Sequence, residues 1–445
     1  MINVGDGFMI EEIQERLMPI ALKLNENKYI AAIRDGFFGI TSILIIGSMF
    51  LLFASLPIDG YPQLMERILG ADWTSFFLVP YLSTMDIMGL FLILSMSHSL
   101  AKSYKLNTVG AQVLSLVSFI ILTPSIYNAE EARGIPAANF SASGLFLAML
   151  STLLAVEIYR FVIEKEWVIK MPDSVPQNVS LAFSSLIPGF IIVLIFNLIQ
   201  ILFGLTDFGT AQDFIYTALQ APLTSFGTSL PAYVFSDIIM QVLWSFGIHG
   251  SNVVLPMIEP LLLSNTMDNA AAYQVGEPLP HIITRQFSRY VALGGGGATF
   301  GLVLCMVLFA KSKQYRSLGK LSLAPGFFNI NEPIIFGVPI VLNPIMVVPF
   351  IVVSLVLILS TYFLMYIGLV PYTNGLNVPW TTPPIIGGLL ISGWRGAVWQ
   401  TIEIGLAMLM YYPFFKTIDQ QAYETEQLAN EHGSEQALEA QSEMN

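Results

Sequence analysis

Glu332 is the side chain with the clearest chemical potential, and it lies between Asn331 and Pro333 at the start of a long uncharged stretch. The residues that follow, 334–369, are apolar and interrupted by prolines. A carboxylate at the edge of hydrocarbon is costly and usually serves a function. The prolines predict a broken helix, whose freed backbone groups are tolerated only inside protein or facing a water-filled cavity. Transporters hold their cargo at such breaks.

The loop around Glu332 also contains Asn329 and Asn331, so it combines hydrogen-bond donors with acceptors. A sugar hydroxyl both donates and accepts, and it therefore needs this mixture. The alternative is a carboxylate that stabilises a helix N-terminus through the helix dipole. The two interpretations are compatible, and the first predicts that Glu332 and Asn331 contact a polyol.

His249 is the second candidate, at a glycine-rich break between two apolar segments. Gly247 and Gly250 allow the backbone to bend there and to approach a ligand closely. Most lone histidines are simply hydrogen-bonded side chains at a helix end. The break and the neighbouring Trp244 and Asn252 favour ligand binding by His249, Gly250 and Asn252.

A third polar break covers residues 373–384 and contains Trp380, whose ring could stack on the apolar face of a sugar. The alternative is an interfacial tryptophan of the aromatic belt. The glycine run at 294–301 lies inside an apolar stretch and has no strand-turn-helix context, so it is not a nucleotide loop. It predicts close helix packing.

Other acidic residues leave several alternatives open. Glu157 and Arg160 are three residues apart and should pair on one helix face. Asp237 and Glu259 are either proton or cation sites of a symporter or buried hydrogen-bond partners. The four histidines are scattered, and neither a His-Glu-x-x-His motif nor a phosphate-binding loop occurs, so no metal ion or cofactor is expected.

The composition is that of a polytopic membrane protein, with 54% hydrophobic and 11% charged residues. A soluble domain has roughly 25% charged residues. No basic patch indicates a nucleic-acid partner. Residues 416–445 contain seven acids and one base, which predicts either disorder or a solvated helix.

Hydrophobic segments divide the chain into four parts. Residues 1–28 form an N-terminal amphipathic segment, 29–206 a helical scaffold half, 207–415 a binding half with broken helices, and 416–445 an acidic tail. Residues 212–219 and 312–321 are predicted to form short surface helices. The predicted spans are 37–57, 76–99, 108–124, 143–163, 181–205, 229–247, 289–310, 343–367 and 396–415, and the candidate re-entrant hairpins or half-helices are 250–264, 325–341 and 370–394.

Lysine and arginine in the short loops place the N-terminus in the cytoplasm and let the first four spans alternate regularly. The bases at 311–320 indicate a further cytoplasmic loop, but simple alternation of the predicted spans would place that loop outside. The orientation of the second half therefore stays open.

Three motifs resemble the membrane (C) component of sugar phosphotransferase systems, in the lactose/cellobiose/diacetylchitobiose branch. They are residues 324–337 (APGFFNINEPIIFG), 244–250 and 167–176. The resemblance implies an all-α polytopic membrane protein with about ten transmembrane helices, two re-entrant hairpins, amphipathic surface helices and a homodimer. It also implies that Glu332 and His249 form the site, that Trp380 is the stacking residue, and that Asn331 and Gly250 are their neighbours.

Members of that family work in the bacterial cytoplasmic membrane with a soluble B component, whose phosphocysteine is charged through an A component, HPr and enzyme I. The resemblance implies that these are separate proteins and that the C component presents the 6-hydroxyl of a β-linked disaccharide to the phosphocysteine. The alternatives are an ion-coupled sugar transporter that uses Asp237 or Glu259, and an intramembrane enzyme.

Overall fold

The computed structural model is mainly helical, and it describes residues 23, 26–54, 60–127, 133–172, 175–176, 183–338, 340–341 and 343–443. The predicted amphipathic segment 1–28 therefore lies almost wholly outside the described residues. Residues 173–174 of the motif at 167–176 also lie outside them.

The first region is a bundle of mostly apolar helices. Two antiparallel strands of two residues each, Ile126–Tyr127 and Arg133–Gly134, lie between the fifth and sixth helices, together with two short 3₁₀ turns. The helices are α1 Lys28–Ala54, α2 Tyr61–Leu69, α3 Trp73–Met85, α4 Met88–Ser103, α5 Thr108–Leu122, α6 Leu145–Glu164 and α7 Leu186–Gly204.

Helix α1 packs closely on α3 and α4 because glycines face them. A Cβ at Gly39 would collide with the Ser95 hydroxyl, and one at Gly47 would collide with Thr84. Small residues at a helix interface let the backbones approach and gain van der Waals contact. The bundle interior is otherwise apolar, as in the fully buried Leu92.

The second region contains shorter and more interrupted elements. Helices α8 Ala211–Phe214 and α9 Ala221–Gly227 are joined by a π-helical turn, Ile215–Gln220. The others are α10 Leu230–Ser245, α11 Gly250–Val275, α12 Ser288–Val291, α13 Phe300–Phe309, α14 Lys313–Phe327, α15 Glu332–Gly337, α16 Pro344–Tyr366 and α17 Ile386–Glu443.

Two of the predicted segments were wrong. The predicted span 289–310 is broken, because Gly294, Gly295 and Gly297 have positive φ values and bend the chain by 55° before α13. The predicted half-helix 250–264 is instead the start of the 26-residue helix α11, which accommodates Pro256 and Pro260. The predicted breaks at 325–341 and 370–394 are present, since α15 has six residues and 370–385 contains no helix.

The acidic tail continues helix α17 to Glu443. Of the two predicted alternatives, disorder and a solvated helix, the structure has the helix. Two carboxylates of α17 accept hydrogen bonds from the backbone N–H groups at the N-terminus of α14. Asp419 accepts the backbone N–H groups of Lys311 (2.8 Å) and Ser312 (3.1 Å) and the Ser312 hydroxyl (2.8 Å). Glu426 accepts the next two N–H groups, from Lys313 and Gln314, each at 2.9 Å. These N–H groups lower the pKa of Glu426 from its ordinary value.

Five of the described segments are long and apolar enough to cross a membrane, if α3 and α4 are counted as one. The number rises to seven if the bent helix pairs within 211–245 and 285–309 each count as one span. The predicted all-α polytopic class is confirmed. The predicted Glu157–Arg160 pair is also confirmed, at 2.8 Å.

Candidate functional site

His249 lies in the turn between α10 and α11. Gly247 has φ 79° and donates its N–H to the Trp244 carbonyl at 2.9 Å, which ends α10 and reverses the chain. His249 is exposed, and its ring lies against the buried Trp244 with ring centroids 4.2 Å apart. The turn therefore presents an imidazole whose orientation is supported by a buried indole.

The two neighbours of His249 that the sequence predicted as contacts have structural roles. A Cβ at Gly250 would collide with the Met240 carbonyl, so glycine is needed for α11 to begin against α10. Asn252 is half-buried, and its backbone N–H donates to the His249 carbonyl at 3.0 Å. Gly250 thus sets the approach of α11 to α10, and ligand contact by the Asn252 side chain stays a prediction.

Glu332 is the first residue of α15, and its side chain is exposed. The preceding residue, Asn331, donates to the Gly296 carbonyl, and an added Cβ at Gly296 would lie 3.6 Å from the Trp244 indole that the His249 ring contacts. The structure therefore brings together the two residues that sequence reasoning placed first, although 83 positions separate them in the chain. A carboxylate beside an imidazole can bind a hydroxyl and accept its proton.

Asn331 is buried against the glycine run. Its side-chain amide donates to the Gly296 carbonyl at 3.1 Å, and a Cβ at Gly295 would lie 2.5 Å from its Cγ. Gly295 therefore allows close packing between two loops, and Gly301 in α13 allows the predicted close helix packing, because a Cβ there would lie 2.6 Å from the Met408 backbone nitrogen of α17.

Asn329 connects three of the chain breaks. It has φ 62°, a conformation that asparagine tolerates better than most residues. Its side-chain oxygen accepts the Gly294 N–H at 2.9 Å, and its nitrogen donates to the carbonyls of Trp380 (2.9 Å) and Thr382 (2.8 Å). The sequence interpretation grouped Asn329 with the ligand contacts, but the structure uses its amide to hold the loop.

Trp380 is 48% exposed and borders a cleft between the first region and the second. Helix α1 supplies one wall, including Arg34, and α11 supplies another, from Ser251 to Leu263. Ser251 is two residues from His249, and the Trp380 carbonyl is held by Asn329. The residues that line the cleft thus include Ser251 and Trp380 but neither His249 nor Glu332.

The acids that a symporter would need are engaged by neighbours. Asp237 accepts hydrogen bonds from Gln241 (3.2 Å) and Ser354 (2.6 Å). Glu259 forms an ion pair with Arg285 at 2.6 Å. Of the two alternatives that the sequence left open, the described residues therefore support the buried partners. Within the described parts of the chain, no group of three or more His, Cys, Asp or Glu residues could hold a metal ion.

Sequence reasoning missed the polar wall of the cleft at residues 285–289. Arg285, Gln286 and Arg289 line it together with Asn377, whose side-chain oxygen accepts from Gln286 at 2.5 Å. A signal was available, because two arginines four residues apart at the start of an apolar stretch usually face a protein interior or a water-filled cavity.

Comparisons with known proteins agree with this architecture. The family model described as "Phosphotransferase system, EIIC" matches residues 34–354. The lichenan permease IIC component of Bacillus subtilis (strain 168) is 38% identical over 93% of this chain and 94% of its own length. The cellobiose-specific EIIC component of Geobacillus stearothermophilus is 38% identical over 94% of this chain and 96% of its own. The crystal structure of ChbC, the IIC component of the N,N'-diacetylchitobiose-specific system, matches with a TM-score of 0.90 and 40% identity over 93% of this chain and 99% of that one.

Proposed function

The chain belongs to the phosphotransferase system EIIC family, and on that premise we propose that it takes up a β-linked disaccharide and couples its uptake to phosphorylation. The names of the cellobiose-specific relative and of the diacetylchitobiose transporter support this substrate class. The single observation that carries the proposal is geometric: the loop of the exposed Glu332 packs through Asn331 and Gly296 near the Trp244 indole, and the exposed His249 ring lies against that indole.

In the proposed reaction, Glu332 and His249 hold the 6-hydroxyl of the sugar, and Trp380 stacks on a ring of the substrate. The phosphocysteine of a B component supplies the phosphoryl group. The P–S bond breaks, the P–O6 bond forms, the hydroxyl proton passes to Glu332 or His249, and the cysteine leaves as a thiolate. General-base assistance is typically worth about 10²–10⁴-fold, and either residue can also act by hydrogen bonding alone.

Phosphorylation would also release and trap the sugar. A phosphate dianion is repelled by the Glu332 carboxylate that held the neutral hydroxyl. Such a dianion is also too costly to return through hydrocarbon. One carboxylate therefore favours both capture of the substrate and departure of the product.

The proposed partners are a separate B component and, through it, an A component, HPr and enzyme I. The cellobiose-specific relative is named as an EIIC component, and the proposal of a separate B protein follows that relative. We place the N-terminus in the cytoplasm, assign dimerisation and scaffold to 29–206, and assign sugar binding to 207–415. An ion-coupled symporter is the less favoured alternative, because Asp237 and Glu259 already have partners.

The substitution Glu332→Gln tests this function. The variant should keep measurable sugar binding, because an amide still donates and accepts hydrogen bonds, but should lose most of its phosphorylation-coupled uptake. The measurement is uptake of radiolabelled cellobiose or diacetylchitobiose in cells that supply the other components. Glu277→Gln, at an exposed glutamate in the loop after α11, is the matched control. Uptake by Glu332→Gln at the unmodified rate would remove the proposed role.

A further inference from the structure

Helix α14 turns back and packs antiparallel against the apolar helix α13. A Cβ added at Gly319 would lie 2.7 Å from the Met306 Cβ, and one added at Gly326 would lie 3.2 Å from the Phe300 ring. The residue numbers rise along α14 as they fall along α13. Because α13 contains no charged residue and belongs to one of the bent apolar pairs, the C-terminal end of α14 lies within the apolar layer.

The described residues leave one face of α14 uncovered. Arg316, Lys320, Leu323 and Phe327 follow one another on this face at intervals of four, three and four residues, so they form one row along the helix. The side chains of all four are exposed, whereas the opposite face is buried in the protein. We refer to these four residues as the α14 row.

The α14 row is basic at one end and apolar at the other. Arg316 lies beside Ala310, which follows the last residue of α13, and Phe327 is next to Gly326 at the level of Phe300. Eleven positions at 1.5 Å each give a length of ~16 Å, which is about half of the ~30 Å hydrocarbon core of a bilayer. The row therefore has the length of one lipid leaflet, with the charges at the end away from the apolar interior.

The two charges of the row are available to an external anion. Arg316 donates from Nε (3.3 Å) and Nη2 (2.7 Å) to the Ala310 carbonyl, which fixes the guanidinium beside the end of α13. Lys320 forms no ion pair with any carboxylate of the described residues. The sequence from 278 to 331 contains no acidic residue. Nothing along the helix itself therefore neutralises these bases.

Two carboxylates from α17 face the first turn of α14. Asp419 accepts the N–H groups of Lys311 and Ser312, and Glu426 accepts that of Lys313, which places both negative charges at the N-terminus of the helix. They offset the bases of that turn. The uncompensated positive charge lies further along the helix, within the α14 row.

We propose that the α14 row binds one anionic phospholipid of the bilayer, with the lipid phosphate between Arg316 and Lys320 and an acyl chain along Leu323 and Phe327. Basic side chains near a membrane surface attract anionic lipids, and a guanidinium matches the oxygens of a phosphate. A soluble acidic partner would leave Phe327 without an apolar contact. A second copy of the chain would bring like charges together. The inference does not depend on the chemistry proposed for Glu332.

Lipid binding by the purified full chain tests this site. Native mass spectrometry measures the affinity of the first lipid bound in detergent, with phosphatidylglycerol compared with phosphatidylcholine. The unmodified protein should bind phosphatidylglycerol more tightly. Lys320→Gln should weaken that binding by about fivefold, the effect of one base on an anionic lipid, and should leave phosphatidylcholine unaffected. Lys102→Gln, at an exposed lysine in the last turn of α4, is the matched control and should change neither affinity.

Three results of this measurement would overturn the site. They are equal affinities of the unmodified protein for the two lipids, equal losses in Lys320→Gln and Lys102→Gln, and displacement of phosphatidylglycerol by an equal concentration of inorganic phosphate, which would identify a site for free anions. Arg316→Gln should also weaken phosphatidylglycerol binding. Because this variant loses the contact with Ala310 as well, Lys320→Gln is the deciding variant.

Spin labels test the direction in which the lipid lies along the row. In a nanodisc of phosphatidylglycerol, a label on Phe327→Cys should be reached by oxygen and shielded from a water-soluble nickel complex, whereas a label on Lys320→Cys should be reached by the nickel complex. The native Cys305 is buried. A label on Phe327→Cys that neither reagent reaches would show that a protein surface covers the row, and one that nickel reaches would show that the row faces water. Either result would overturn the proposal.

Discussion

The two regions of the molecule satisfy their buried polar groups in different ways. In the first region, helices α1–α7, the buried hydroxyls of Ser97, Ser118 and Thr123 each donate to the carbonyl four residues earlier in the same helix. In the second region, some buried polar contacts are equally local, such as that of Thr266 with Leu262, but many others span long sequence separations. The Asn329 side chain donates to carbonyls that are 51 and 53 positions away in the sequence. The Ser354 hydroxyl donates to Asp237, which is 117 positions away.

The difference follows from helix continuity. A continuous helix satisfies its own backbone and needs only a well-packed apolar face, so Gly39 and similar residues suffice to bring helices together. A broken helix leaves N–H and C=O groups free, and other parts of the chain must satisfy them. Asparagine suits that task because one side chain both donates and accepts. The second region is therefore held together by a few polar side chains, and it should be more sensitive to their loss.

Replacement of two asparagines by glycine gives the largest expected contrast between the regions. Asn329→Gly keeps the left-handed backbone conformation but removes three hydrogen bonds, and it should lower the free energy of unfolding by about 2 kcal/mol or more. Asn107→Gly removes only the N-terminal cap of α5 and should cost a few tenths of a kcal/mol, roughly. Thermal unfolding in detergent measures both. Equal losses would show that the two regions do not differ as described.

A methyl group added in the glycine run at 294–297 should have the next largest effect on the free energy of unfolding. Gly295→Ala forces a Cβ to within 2.5 Å of Asn331 at a φ of 97°, and should cost about 1–3 kcal/mol through overpacking. The displaced loop should also weaken sugar binding, because Asn331 directly precedes Glu332.

Gly60→Ala is the control for the glycine run, since Gly60 also has a positive φ of 81° but no atom of the described residues beyond its chain neighbours lies within 4 Å of the added Cβ. Gly60→Ala therefore has the strain of an alanine at positive φ but lacks the steric contact that Gly295→Ala makes with Asn331. A normal affinity for cellobiose or diacetylchitobiose in Gly295→Ala would show that the loop can yield without moving Glu332.

The smallest expected effect concerns the contact between α17 and α14. The pKa of Glu426 is lower in the folded protein than its ordinary value, so this carboxylate stabilises the contact while it is ionised. The contribution is present above the ordinary pKa of 4.5 and is lost as the pH falls below it. Amide hydrogen exchange should therefore show that the protection of Lys313 and Gln314 decreases on acidification through that range.

Glu426→Ala should remove that protection at every pH, whereas Glu424→Ala, two residues away on the same helix, should not. Protection of these two amides that is independent of pH in the unmodified protein would contradict the assigned role of Glu426.

Sequence reasoning succeeded where the signal is local. Prolines and glycines next to polar residues identified the breaks around His249, Glu332 and Trp380, because a break within an apolar stretch needs both residues that bend the backbone and polar groups that satisfy it. Local patterns failed for the run at 294–297, since four glycines in an apolar segment are compatible with both a tightly packed helix and a turn. They also failed for α11, where Pro256 and Pro260 are accommodated within a continuous helix.

The rest of the candidate site depends on contacts that a local pattern cannot contain. Gln286 meets Asn377 across 91 positions, and Asn329 meets Gly294 across 35. Nothing near Asn329 in the sequence indicates that its amide is already engaged by backbone groups. The types of residue at the site were therefore predictable, but the division between ligand contacts and supports was not.

The cleft has one wall on α1 and its others on elements of the second region. Any displacement of one wall relative to the other changes the width available to a bound molecule. By thermodynamic reciprocity, a molecule that fits one width better also favours the arrangement that provides it. Occupancy and the relative placement of the two regions are consequently linked variables, and a perturbation of α1 far from Glu332 will register as a change in apparent affinity.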